Sequence, residues 1–532
     1  MAAPADGTPV VVPTTGGALR GSWNDGVARF AGIPFAAPPV GELRFRPPQP
    51  PAPWTGERDA TGFGPVSPQN PSLMDALFGG ETETWSEDCL YLNVWTTGPI
   101  SSAPVGGEAD DEMDAPPLPV MVWIHGGGFE MGSGSSPLYH GESFATEGVV
   151  LVTLNYRLGS VGFLELGELD PAEAGSGNVG LLDQVAGLEW VRDNIASFGG
   201  DPGNVTIFGE SAGAMSVSLL LSMPRARGLF HKAIAQSGAA SAAKTPEQSQ
   251  ADLAEFLLAT GLQTVEQLRA APIEQLLAGH ATMSAARVAD PEAVIERHGN
   301  PLAFLPFRPH ADGVEVPADP LGAIAAGSAS DVPLLIGTNL EEWKLFALMT
   351  PAAASDEALR DRVGLVSDDA DAALEAYRAE HPDADRAGLE TALLTDVVFR
   401  IPAVQLADVQ AAHAPVFQYR FDWRSPAWGG AIGAAHAVEI PFVFDMVADQ
   451  RLHVLVGPEA PRALATAMHR SWIAFATDGV PSADELEEWP AIDDGPGRPV
   501  MVLDATSHLE DNPEAITTRF WAGASSSVLG FH

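Results

Sequence analysis

Phe198-Gly199-Gly200-Asp201-Pro202-Gly203-Asn204-Val205-Thr206-Ile207-Phe208-Gly209-Glu210-Ser211-Ala212-Gly213 is the stretch whose reading decides the fold. Its last five residues form a G-x-S-x-G pattern around Ser211. The preceding run Val205–Phe208 is apolar and β-branched, as a buried strand requires. The following run, Ala214 to Leu221, reads as a helix. Strand, sharp turn and helix are the setting that turns this pattern into a nucleophile elbow. Such a turn strains the backbone of Ser211 and tolerates only small neighbours, hence Gly209 and Gly213. The hydroxyl is then expected at the C-terminal edge of a sheet, where a helix N-terminus favours developing negative charge.

Outward from the elbow, strands and helices alternate, which argues for an α/β chain with a largely parallel sheet covered by helices on both faces. Val120–Ile124 and Val149–Leu154 read as buried strands, and so do Val332–Ile336, Val416–Phe421 and Val500–Leu503. Leu181, Leu182, Val185, Leu188 and Ile195 recur at helical spacing just before the elbow strand. Leu464, Met468, Trp472 and Phe475 mark the inward face of another helix. The Pro/Gly/Ser/acid-rich stretch from Gly98 to Pro117 is predicted as a surface loop, because strands of one sheet flank it. Residues 246–300 and 351–413 read as Ala-rich helices inserted between strands. At 532 residues the chain has the length of roughly two or three domains, yet α/β folds run long as one unit. The expectation is one domain, 1–532.

Further motifs extend the pattern. They are Phe30–Ala36 (FAGIPFA), Glu87–Val94 (EDCLYLNV), His125–Phe129 (HGGGF), Asn155–Gly159 (NYRLG) and Gly180–Gln184 (GLLDQ). With Phe198–Gly213 they resemble the type-B carboxylesterase family, the esterase, lipase and cholinesterase branch of the α/β-hydrolases. Matches near Gly337 and His436 carry the resemblance over most of the chain. It implies the α/β-hydrolase fold, a mostly parallel central sheet flanked by helices, with the two helical insertions roofing an active-site gorge. It also implies serine ester hydrolysis without a cofactor.

Ser211 needs a base, and the base needs an acid to hold its tautomer. In this fold the chain order is Ser, acid, His. Gly337-Thr338-Asn339-Leu340-Glu341-Glu342 follows a buried strand, where an acid loop belongs. Spacing leaves Glu341 and Glu342 open, and the resemblance points to Glu342. For the base, position after the last strand favours His508, whereas the family motif Gly433–Phe442 points to His436. His125, His413, His453 and His469 read as core or surface residues. The HGGG loop after a strand offers backbone amides unobstructed by Cβ atoms, as an oxyanion hole requires. A phosphate loop is excluded because no Lys-Ser/Thr follows. By resemblance the donors are Gly127, Gly128 and Ala212, with Glu210 and Ser237 as supporting residues. Trp343, Phe129, Met131, Trp428 and Phe442 are candidates for the gorge wall or for the core alike. No His/Cys/Asp cluster has metal-ligand spacing in the sequence, so no metal is expected.

The net charge is −42, from 28 basic and 70 acidic residues, with Lys232, Lys244 and Lys344 the only lysines. Such a field repels nucleic acid and anionic membrane surfaces. The family resemblance implies a small-molecule ester as the partner. The single cysteine, Cys89, has no intramolecular partner, and family resemblance places Ser67 where a second cysteine would stand. Its absence favours a reducing compartment. Met1 to Gly17 has neither a basic nor an apolar leader segment, so a cytoplasmic location is expected, although a mature chain trimmed of its signal would read the same. Three functions compete on sequence. They are a serine carboxylesterase, the same machinery acting on carbamates or amides, and a non-catalytic adhesion or scaffold relative, which would lack a triad member.

Overall fold

The computed structural model describes residues 4–72, 83–101, 116–348, 350, 352–492 and 497–522. One sheet organises them, and its strands in chain order are β1 (Pro9–Thr14), β2 (Gly17–Asn24), β3 (Val27–Pro34), β4 (Glu57–Asp59), β5 (Tyr91–Thr96), β6 (Leu118–Ile124), β7 (Val150–Leu154), β8 (Gly200–Glu210), β9 (Lys232–Gln236), β10 (Leu334–Asn339), β11 (Val416–Phe421), β12 (Pro499–Leu503) and β13 (His508–Asp511). The spatial order is β1-β2-β3-β5-β7-β6-β8-β9-β10-β11-β12-β13, with β4 beside β2. From β7 to β12 every pairing is parallel, while β1–β2, β2–β3, β3–β5, β5–β7 and β12–β13 are antiparallel and the short β4 runs parallel to β2. The elbow strand β8 pairs with β6 on one side and β9 on the other, which puts Ser211 near the middle of the sheet.

Side-chain alternation along these strands feeds two cores, one on each face. Val120, Val122 and Ile124 of β6 join one apolar cluster, and Met121 and Trp123 join the other. All these residues are fully buried, as a parallel sheet covered on both faces demands. The first core packs on α1 (Val179–Asn194) and on α2 (Ala212–Ser222), the helix that follows the elbow. Four residues of the predicted helical spacing, Leu181, Leu182, Val185 and Leu188, lie buried in α1, and Ile195 opens the 3-10 turn after it.

The segment between β9 and β10 includes α3 (Pro246–Thr260) and α4 (Ile273–Ala289). The segment between β10 and β11 includes α5 (Arg386–Thr395) and α6 (Ile401–Ala411). This second insertion has a small core of its own, where Leu359, Leu374, Tyr377 and Leu393 meet Trp521 of α8 (Ala515–Ala522). α7 (Arg462–Asp478) buries Leu464, Met468, Trp472 and Phe475 against the second face of the sheet, as its spacing predicts. Several strand boundaries differ from expectation by a residue or two. The strand predicted from Val332 begins at Leu334, because Pro333 offers no N–H to a sheet ladder. Most of the stretch 98–117 expected to be a surface loop lies outside the described residues.

Candidate active site

Ser211 sits between β8 and α2 with φ 56° and ψ −124°. An L-residue held there costs about 1–3 kcal/mol, which the surrounding packing must offset. Glycine makes the bend possible. A Cβ on Gly213 would overlap the Ile124 carbonyl oxygen, and one on Gly209 would lie 2.6 Å from the same atom. The end of β6 therefore presses directly on the turn. The Ser211 N–H donates to the Gln236 carbonyl at 2.9 Å, fixing the bend to β9 as well.

The HGGG loop leaves β6 at this point. Gly127 and Gly128 take φ 102° and 65°, and a Cβ on Gly126 would stand 3.1 Å from Ser211 Cβ. The loop carrying Gly127 and Gly128 and the first residue of α2, Ala212, thus meet at the elbow. His125 and Phe129 flank the glycines as core residues. The His125 ring is stacked 4.4 Å from Tyr156, and burial pushes its pKa down to about 4, so it stays neutral. Phe129 is fully buried against Phe163.

The acid loop follows β10. Glu342 is fully buried, accepts the Asn339 N–H at 2.7 Å through Oε1, and accepts Nδ1–H of His436 at 2.7 Å through Oε2. The backbone repeats the link, because the His436 N–H donates to the Glu342 carbonyl at 3.3 Å. Glu341 points elsewhere, to Lys344 at 2.9 Å and Arg424 at 3.3 Å. His508 lies exposed on the edge strand β13, paired opposite Val502. Of the two acids and two bases left open by spacing, the structure joins Glu342 to His436.

The other imidazole nitrogen has a less expected neighbour. His436 Nε2 is 3.0 Å from Glu210 Oε1 and forms no hydrogen bond, to Ser211 Oγ or to any other atom. Glu439 is the third carboxylate near this ring. It accepts from Asn339 Nδ2 at 2.7 Å and Gln236 Nε2 at 3.2 Å, and is fully buried. Burial disfavours the imidazolium, but Glu210, Glu342 and Glu439 outweigh it and push the His436 pKa up to about 9. Burial likewise drives Glu210 well above the usual carboxylate range, with Glu439 and Glu342 adding to the rise and His436 opposing it. Both shifts favour the protonated form of their group. Ser237 is buried at φ 56°, and its Oγ has no hydrogen-bond partner. The sequence reading assigned no role to Glu439, which stands three residues after His436 in a non-helical turn.

Aromatic rings close around His436. Phe399 lies 4.7 Å and Phe346 5.2 Å from the imidazole, centroid to centroid, and Trp343 stands 4.8 Å from Phe346. Of the other wall candidates, Phe442 is core between Phe421 and Trp423, Met131 is partly buried beside Gly127, and Trp428 is half-exposed, donating to the Val454 carbonyl. Among the described residues one acid and histidine group converges closely enough to hold a metal ion, Asp252, Glu255 and His298, with the histidine brought in from a separate helix and hence invisible as spacing. Its carboxylates already face Arg287 and Lys244, which makes it a charge network with its acceptors taken.

A model of the carboxylesterase family matches residues 8–521. The chain belongs to the carboxylesterase family. This esterase is 41% identical over 519 residues to the para-nitrobenzyl esterase of Bacillus subtilis, covering 95% of this chain and 97% of that one. It is 36% identical to the phenmedipham hydrolase of Pseudarthrobacter oxydans, covering 90% and 92%. The crystal structure of a Geobacillus stearothermophilus carboxylesterase superposes with a TM-score of 0.82 at 39% identity, over 96% of this chain and 99% of that one. The fold is that of the carboxylesterase α/β-hydrolases. The protein is a serine carboxylesterase that acts on small-molecule esters, and the scaffold reading is set aside. No helix among the described residues is long and apolar enough to cross a membrane.

Proposed function

We propose that this carboxylesterase works through a Ser211–His436–Glu342 triad with the N–H groups of Gly127, Gly128 and Ala212 as oxyanion donors. The observation that supports it most is the buried 2.7 Å bond from His436 Nδ1 to Glu342 beside a strained, glycine-flanked serine. Ser211 Oγ attacks the ester carbonyl while His436 Nε2 takes its proton, and Glu342 stabilises the imidazolium. The alcohol leaves with the proton from His436, and water then hydrolyses the acyl-enzyme. Nε2 must swing from Glu210 toward Ser211 for the first step, and hydrogen bonds of this kind commonly close only in the substrate complex. The helices of residues 246–300 and 351–413 are proposed to roof the site within a single domain.

The deciding experiment is Ser211→Ala assayed on a p-nitrophenyl ester, with kcat expected to fall on the order of 10⁶-fold. Near-normal turnover would sink the triad. Loss of activity in His508→Ala with retention in His436→Ala would reverse the choice of base. For substrate class, matched esters, carbamates and anilides separate an esterase preference from carbamate or amide cleavage. Esters are expected to turn over fastest.

A further inference from the structure

The chain segment facing His436 is built in an uncommon way. Between α5 and α6 it makes a π turn, Asp396–Arg400, the only one among the described residues. A π turn slips an extra residue into a helix, re-aims the side chains beside it and is frequent at functional sites. Together with Thr395 just before it, this turn touches the acid loop and the base in three places. Thr395 Oγ1 accepts the Trp343 N–H at 3.1 Å, Arg400 Nη2 donates to the Leu340 carbonyl at 3.1 Å, and the Phe399 ring lies 4.7 Å from that of His436. Leu340 and Trp343 bracket Glu342, so the carboxylate is strapped on both flanks by one turn of chain. Arg400 is itself buried, and its ion pairs run outward. Nη1 lies 2.6 Å from Asp396 and 2.5 Å from Glu514. Asp396 also accepts the Tyr377 hydroxyl at 2.7 Å, and that hydroxyl accepts Nε1–H of Trp521 at 2.8 Å. The second insertion and α8 thereby fix the guanidinium that fixes the loop.

We propose that Arg400 is a positioning residue for ester hydrolysis, holding the Leu340–Trp343 loop so that Glu342 stays on Nδ1 of His436. The inference rests on Glu342 being the triad acid. It does not follow from the family resemblance, which points to the triad and oxyanion positions and not to this arginine. A planar fork can meet two carboxylates and a carbonyl together, whereas the single ammonium of lysine meets them poorly. A small displacement of a triad member is costly in rate, since productive geometry tolerates about 1 Å at most.

The test is a double-mutant cycle on kcat with a p-nitrophenyl ester. Arg400→Gln is expected to lower kcat on the order of 10-fold with KM little changed. In a Glu342→Gln background the same substitution is expected to cost under about 2-fold, because its route to the chemistry is already gone. The far-downfield proton NMR signal of His436 Nδ1–H should weaken or shift in Arg400→Gln and partly return in Arg400→Lys. Should Arg400→Gln not accumulate as folded protein, Glu514→Gln loosens the same guanidinium from outside and should show a smaller loss in the same sense. An equal loss in both backgrounds, or a lowered Tm with kcat and the NMR signal unchanged, overturns the proposal. If Glu342→Gln alone leaves kcat intact, the triad reading fails first and carries this one with it.

Discussion

At the residue scale the site is defined by how many carboxylates surround one imidazole. A base must be neutral to accept a proton, and the pull of Glu210, Glu342 and Glu439 keeps His436 protonated up to about pH 9. Raising a base's pKa means that its working form grows in only at higher pH, so kcat/KM should climb on the alkaline side of an ordinary histidine. Glu210 reaches Nε2 itself and has no part in holding the tautomer at Nδ1. Glu210→Gln should therefore shift the midpoint of the pH profile down by about one unit or more while leaving Glu342 bonded. The pH dependence of kcat/KM measures this directly, and an unmoved midpoint would show that Glu210 does not govern the proton on His436. The two neighbouring glutamates of the acid loop give a second contrast. Glu342→Gln should cut kcat by about 10⁴, the order seen when a triad acid loses its charge. Glu341→Gln weakens a half-buried pair with Lys344 and Arg424 while leaving an amide oxygen to accept the Ala434 N–H, and its kcat should stay within about 2-fold. Spacing could not separate these two residues, because which of them faces inward depends on the turn after β10 and on a partner 94 positions away.

At the scale of elements, several sequence motifs turn out to be structural ion pairs. Arg157 of the NYRLG stretch grips Asp183 of the GLLDQ stretch through two bonds of 2.8 and 2.7 Å, with both side chains buried. Glu87 of EDCLYLNV holds Arg44 through two bonds of 2.6 Å, and Arg44 in turn donates to the carbonyls of Leu268, Arg269 and Ala271. Removing one partner of a buried pair leaves an unpaired charge, so Asp183→Leu should destabilise the fold by about 3–5 kcal/mol. Thermal unfolding followed by circular dichroism tests it, and an unchanged Tm would mean that Arg157 finds another acceptor. The strand, elbow and helix at the centre were legible because local chemistry dictates them. Val205–Phe208 can only be a buried strand, and Gly209 and Gly213 are required where Ile124 leaves no room for a side chain. The α1 and α7 faces were legible for the same reason, through apolar spacing. The π turn at Asp396–Arg400, the carboxylate of Glu439 and the Asp252–Glu255–His298 group were not, since each depends on segments that meet only after the sheet is assembled.

At the scale of the whole molecule, charge sets behaviour that no single contact explains. The net charge is −42, and the only three lysines are all engaged. Lys232 bonds Asn204 and the Ala476 carbonyl, Lys244 bonds Asp252, and Lys344 bonds Glu341. Few cations remain to offset the acidic surface, so the folded state carries self-repulsion that the expanded chain relieves. Salt screens that repulsion, with a Debye length falling from about 10 Å at 0.1 M to about 3 Å at 1 M. The Tm should therefore rise by several degrees, on the order of 5 °C, between about 0.02 M and 1 M NaCl. Equal osmolality of a neutral sugar separates screening from general solute exclusion, because the sugar cannot shorten the Debye length. The same field acts on substrates before they reach Ser211. An ester bearing a free carboxylate is repelled, so its kcat/KM should increase with salt, whereas that of an uncharged ester of the same size should stay flat. A Tm that falls on adding salt, together with identical salt curves for the two esters, would show that the acidic surface neither strains the fold nor gates access to the site.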